Sequence, residues 1–106
     1  MEFELVTDTS ASGTRIAVRG DLDLATVGSL KPALEKAIAT GEPTVLDLEE
    51  CTFLDSSALK AIADAGRNAQ EAGVGFAVGR PSPQAARVLE ISGLNEIVTI
   101  EPGDYP

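Results

Sequence analysis

Apolar and polar positions divide the chain into short apolar runs that alternate with helical stripes. Residues 3–7 and 14–19 favour strands, with the turn-rich residues 8–13 between them. So short a link makes an antiparallel hairpin the simplest connection. Val27, Leu30, Leu34 and Ile38 then recur at helical spacing, and Gly41 follows as a stop signal. Pro32 falls in the first turn of a helix capped by Ser29, so the pattern predicts a helix over 29–40, with Thr26 opening a looser turn. Residues 44–48 form a short β-branched and apolar strand. Asp55-Ser56-Ser57 directly precedes a second helical stripe. Its inner face is Leu59, Ile62, Ala63, Gly66 and Ala69, and Lys60, Asp64, Arg67 and Glu71 look outward. Gly73 ends it, and residues 74–78 are an apolar strand. Ser82 and Pro83 place a cap and a first-turn proline before a third helix, whose buried face is Val88, Leu89 and Ile91. Gly93 closes that helix and Leu94 packs back on it. Residues 96–100 make a last strand, and 101–106 a tail. The order β-β-α-β-α-β-α-β implies right-handed crossovers and a mixed, mostly parallel sheet with helices packed on it. The first strand is antiparallel at one edge, and the fold class is α/β.

Length and composition narrow the chemistry. The chain has 106 residues, room for a single domain over 1–106, and 43% of them are hydrophobic. It contains no histidine, which excludes an imidazole base, a Ser-His-Asp or Cys-His apparatus, and a histidine-bearing metal site. The single Cys51 cannot form an internal disulfide. A net charge of −9 disfavours nucleic acid and anionic lipid surfaces, and a charge-steered partner should present basic groups. The N-terminus is acidic where a secretory signal would be basic, and no apolar run approaches the roughly 20 residues that span a bilayer. A cytoplasmic, non-membrane protein is expected.

Several residue groups invite a functional reading. Asp21, Asp23 and Asp55 are placed by the pattern in loops at strand ends, the usual site side of an α/β sheet. Such carboxylates suit Mg²⁺ and an acyl phosphate, as in a response-regulator receiver domain. Lys60 is the last lysine, however, so no lysine follows a late strand to stabilise that phosphate. A solvated, helix-capping acidic rim accounts for them better. Gly73, Gly75 and Gly79 match no phosphate-binding spacing and fall around a strand. Cys51, between acidic neighbours, reads as a small buried hydrophobe, because negative charge opposes a thiolate. Phe3, Phe53 and Phe76 are expected in the core, and Tyr105 in the tail. Asp55-Ser56-Ser57 is the sharpest feature. One residue suffices for a cap, so three polar residues exceed that need, and hydroxyls at a helix start can be modified without unfolding anything.

The run Val18-Arg19-Gly20-Asp21-Leu22-Asp23 followed by Thr26 resembles the opening signature of the STAS domain family. Val45-Leu46-Asp47-Leu48 and Phe53-Leu54-Asp55-Ser56-Ser57-Ala58-Leu59 resemble its central strand and phosphorylation loop. Ser82-Pro83 through Leu89, with Gly93-Leu94, resembles its C-terminal pattern. The resemblance covers nearly the whole chain in order and points to the free-standing bacterial anti-sigma factor antagonists. It implies partner switching and transcription regulation. The unphosphorylated antagonist would bind an anti-sigma factor that is also a serine kinase, releasing a sigma factor, and phosphorylation of Ser56 would end that binding. Asp21, Asp23, Thr26, Asp55, Ser57 and Ala58 would form the surroundings of the site. Asp23 corresponds to the family's loop carboxylate, and Ser57 to its small hydroxylic neighbour. Ala58 stands where the family usually has glycine, and its methyl group would favour helicity while crowding an approaching kinase. On this reading the chain is not an enzyme and needs no cofactor or metal. ATP sits in the kinase partner, and a monomer is expected. The alternative is a non-phosphorylated STAS subunit docked on a transport ATPase or a scaffold.

Overall fold

A computed structural model describes residues 3–101. Its elements run β1 (Glu4–Ser10), β2 (Gly13–Leu22), α1 (Val27–Ala39), β3 (Thr44–Leu54), α2 (Ser56–Ala72), β4 (Phe76–Gly79), α3 (Pro83–Ser92), a 3₁₀ turn (Leu94–Glu96) and β5 (Thr99–Glu101). The five strands lie in sequence order, β1 antiparallel to β2 and the remaining pairs parallel. This is the α/β arrangement that the element order implies, with the antiparallel strand at the edge.

Alternation sorts the two faces of the sheet. Ile16, Val18, Leu46, Leu48 and Val78 point into one core, shared with Leu30 and Leu34 of α1, Ile62 and Ala65 of α2, and Leu89 of α3. The opposite face carries cross-strand ion pairs. Arg15 on β2 lies between Asp8 of β1 and Asp47 of β3, and Arg19 between Glu4 and Glu50. Asp47 is only 3% exposed, so its Arg15 partner and the Glu49 amide at 2.9 Å hold a carboxylate that water scarcely reaches.

Several boundaries differ from the sequence expectation. Strand β2 runs on through Gly20-Asp21-Leu22, so Asp21 lies in a strand rather than a loop. The continuation is possible because β3 carries extra residues opposite β2, with register shifts at Ala17/Arg19 and Gly20/Asp21, and Gly20 adopts φ 97° at the second. Helix α1 starts at Val27, two residues earlier than predicted, with Pro32 inside it. The bond that Pro32 cannot donate would reach the Gly28 carbonyl, and both residues are exposed, so water can replace it. On α2 the buried set is Ala58, Ala61, Ile62, Ala65 and Ala69, while Leu59, Ala63 and Gly66 are only half-buried. Ile91 is 76% exposed, since Ala85 and Leu89 define the inner face of α3 and Ile91 lies about 200° around the helix from Leu89. Phe53 is 48% exposed for the strand equivalent of that reason: Leu54 points inward and its neighbour must point out. The last strand is short because Gly93, at φ 80°, ends α3 and the chain first makes the 3₁₀ turn. Val74 and Gly75 precede β4 rather than belonging to it. Tyr105 lies outside the described residues.

Candidate functional site

The rim where β2 and β3 end and α1 and α2 begin gathers the residues singled out in the sequence. Asp55 is extended and caps α2, accepting the Ala58 amide at 3.0 Å. The same carboxylate oxygen accepts the Ser57 hydroxyl at 2.5 Å. Its other oxygen reaches across to the Leu24 amide at 3.0 Å. Below them, the Asp55 amide donates to the Leu22 carbonyl at 3.2 Å, so backbone and side chain both tie the two loops. The Ser57 hydroxyl, with the Ala58, Leu24 and Ser57 amides, holds the Asp55 carboxyl below the ordinary aspartate range.

The loop from β2 to α1 is locked by its own polar atoms. Thr26 Oγ1 accepts the Asp23 amide and donates to the Asp21 carbonyl, both at 2.9 Å. Asp23 Oδ1 accepts the Ala25 amide at 3.0 Å and the Thr26 amide at 3.2 Å. Thr26 is thus the residue before α1 but makes no side-chain cap, because its hydroxyl serves the loop behind it. Asp21 Oδ1 accepts the Thr52 hydroxyl at 2.6 Å. Thr52 lies at the second register shift between β2 and β3, between Cys51 and Phe53.

Ser56 stands apart from these bonds. It is the first residue of α2, it is exposed, and its hydroxyl makes no hydrogen bond among the described residues. Ser57 is half-buried and its proton is held by Asp55, so of the two adjacent serines only Ser56 presents a free hydroxyl. Ala58 is fully buried in the core. Its methyl group is turned inward, which removes the crowding expected of it at the surface. Asp21, Asp23 and Asp55 are each committed to different donors, and no group of three ligating side chains is gathered for a metal ion among the described residues. Cys51 is buried, and that burial pushes its thiol above the ordinary range. A groove of about 580 Å³ between α1 and α2, floored by Leu34, Ile38, Ala61 and Ala65, includes none of the rim residues.

Two exposed apolar residues of the rim were missed in the sequence. Leu24 is 79% exposed, and Phe53 was assigned to the core. Leu24 lies three residues before Val27 and so continues the helical spacing of that stripe; the signal for its exposure is its place in the turn over 23–26, ahead of the helix.

Comparison with solved structures gives the same fold. An anti-sigma factor antagonist from Mycobacterium paratuberculosis superposes with a TM-score of 0.86 at 24% identity, covering 97% of this chain and 88% of that one. The anti-sigma factor antagonist SpoIIAA in its unphosphorylated form gives 0.74 at 22% identity, covering 97% and 90%. The Bacillus cell fate determinant SpoIIAA in its phosphorylated form gives 0.69 at 22% identity, covering 97% and 94%. No helix among the described residues is long and apolar enough to cross a membrane. The family model described as "Mlab, STAS domain" matches residues 5–99, from within β1 to the first residue of β5, and the chain belongs to the STAS domain family.

Proposed function

We propose that this chain is an anti-sigma factor antagonist that binds an anti-sigma factor with serine kinase activity, and that phosphorylation of Ser56 switches the binding off. The observation that carries this reading is the free, exposed hydroxyl of Ser56 at the start of α2, beside a serine whose proton is already taken. The likeness to antagonists solved in unphosphorylated and phosphorylated forms supports it. In the transfer, Ser56 Oγ attacks the γ-phosphorus of ATP held by the kinase. The bond to the bridging oxygen breaks, ADP leaves, and the hydroxyl proton passes to a base of the kinase.

The electrostatics suit a switch. A phosphate adds about −1.5 to −2 charges at neutral pH. The α2 N-terminus tolerates it, while Asp55 repels it, so the fold should change little. At a contact surface the same group brings bulk and a desolvation cost, and each 1.4 kcal/mol is about tenfold in affinity.

Purifying the tagged chain with its partners from the native cell, then titrating three forms against the partner, tests the reading. Ser56→Ala should bind and gain no phosphoryl mass with kinase and ATP. Ser56→Asp should stay folded and bind more weakly, though less so than the phosphorylated form. Equal affinities for native, Ala and Asp forms, no phosphoryl mass on the native chain, and capture of a transport ATPase would establish the constitutive subunit instead.

A further inference from the structure

Five consecutive amides, from Asp23 to Val27, all find acceptors. Those of Asp23, Ala25, Thr26 and Val27 bond within the loop itself, to Thr26 Oγ1 and to the side chain and carbonyl of Asp23. Only the Leu24 amide bonds to another element, and its acceptor is the outer oxygen of Asp55. Capping α2 uses the other oxygen. A cap therefore explains half of this carboxylate, and the second half fixes the backbone under a leucine that is 79% exposed. An apolar side chain so exposed, on a backbone tied at its amide, buries little area in this fold. On the same rim Phe53 is 48% exposed, paired in register with Asp21. Asp21 is the register partner of Phe53, Asp23 precedes Leu24 and Asp55 accepts its amide, and the chain as a whole carries −9.

We propose that Asp55 is a positioning residue that holds Leu24 as the apolar anchor of the partner surface. With Phe53 also exposed where β2 and β3 end, this surface fits a partner offering an apolar pocket edged by lysine or arginine. The inference rests on the antagonist reading for the partner's identity, but not for the anchor. Anchors of this kind concentrate binding energy when their backbone is already ordered, because little freedom is lost on docking. Ser56 follows Asp55 directly, so a phosphate there would place its charge beside the carboxylate that sets Leu24.

Asp55→Ser separates the two halves of the carboxylate. Serine is as good a cap as aspartate, yet its single oxygen cannot also reach Leu24. Amide exchange should quicken at Leu24 in Asp55→Ser while Ala58 stays protected, and unchanged exchange at Leu24 would overturn the strut. The binding test is a double-mutant cycle against the purified anti-sigma factor. Leu24→Ala should weaken binding by about tenfold or more, and Asp55→Ser by about fivefold in the native background and hardly at all beside Leu24→Ala. An equal loss in both backgrounds would mean that Asp55 acts by its charge alone, which overturns the positioning role. If the captured partner is a transport ATPase, the antagonist reading falls, and the same cycle run on that partner still decides the anchor.

Discussion

The Ser82 hydroxyl donates to the buried Cys51 carbonyl at 2.6 Å and at the same time accepts the Ala85 amide at 3.0 Å. One buried hydroxyl thus joins the start of α3 to the bulged part of β3. Ser56 also begins a helix, yet its hydroxyl bonds to nothing among the described residues and faces water. Removing each should separate their roles. Ser82→Ala leaves a buried carbonyl and a buried amide unpaired and should cost about 1–3 kcal/mol. Ser56→Ala should stay within about 0.5 kcal/mol of the native protein, because Asp55 is the cap. Denaturant titration of both variants checks the contrast, and equal losses would contradict it.

Asp55 gives the stability a pH dependence with a definite sign. Its folded carboxyl is held below the ordinary value, first by the Ser57 hydroxyl and then by the Ala58 and Leu24 amides. The unfolded chain therefore takes up the proton first as pH falls. The contribution is fully present above the unfolded pKa of about 3.9 and is lost as pH falls through the lower folded value. Melting curves of the native protein and Asp55→Ser should differ most near pH 6 and converge toward pH 3. A gap independent of pH would show that the carboxylate's charge is not what stabilises the rim.

Ala58 should matter to the fold rather than to the kinase. Its side chain is fully buried, so Ala58→Gly removes a packed methyl and introduces glycine near the start of a helix. A loss of about 1–2 kcal/mol follows. The rate at which a cognate kinase phosphorylates Ser56 in the folded variant should equal the native rate. A faster rate would restore the crowding explanation.

The ion pairs on the open sheet face should be unequal. Arg15 neutralises Asp47, which is 3% exposed, so Arg15→Gln leaves a secluded carboxylate poorly compensated and should cost about 1–3 kcal/mol. Arg19 pairs with Glu4 and Glu50, all well exposed, and Arg19→Gln should change stability by less than about 0.5 kcal/mol. Chemical denaturation at low and moderate salt measures both, and similar losses would contradict the ranking.

The element order, the parallel sheet with an antiparallel edge and the start of α2 at Ser56 were all legible in the sequence. Each rests on local rules: the spacing of Val27, Leu30, Leu34 and Ile38, the preference of Asp and Ser for helix starts, and glycines such as Gly73 and Gly93 at helix ends. What failed depended on neighbours in space. Phe53 looks like core until the pairing of β3 with β2 turns Leu54 inward, and Ile91 looks buried until Leu89 sets the inner face of α3. Periodicity tells that a side chain alternates, but only packing decides which phase faces the core. The rim shows the same division. The sequence marked Asp23, Thr26, Asp55, Ser56 and Ser57, since short polar residues cluster where the backbone turns. That Asp55 spends one oxygen on α2 and the other on Leu24, 31 positions earlier in the chain, is a relation between two loops that adjacent parallel strands bring together. No local rule contains it, because the distance that matters there is set by the sheet.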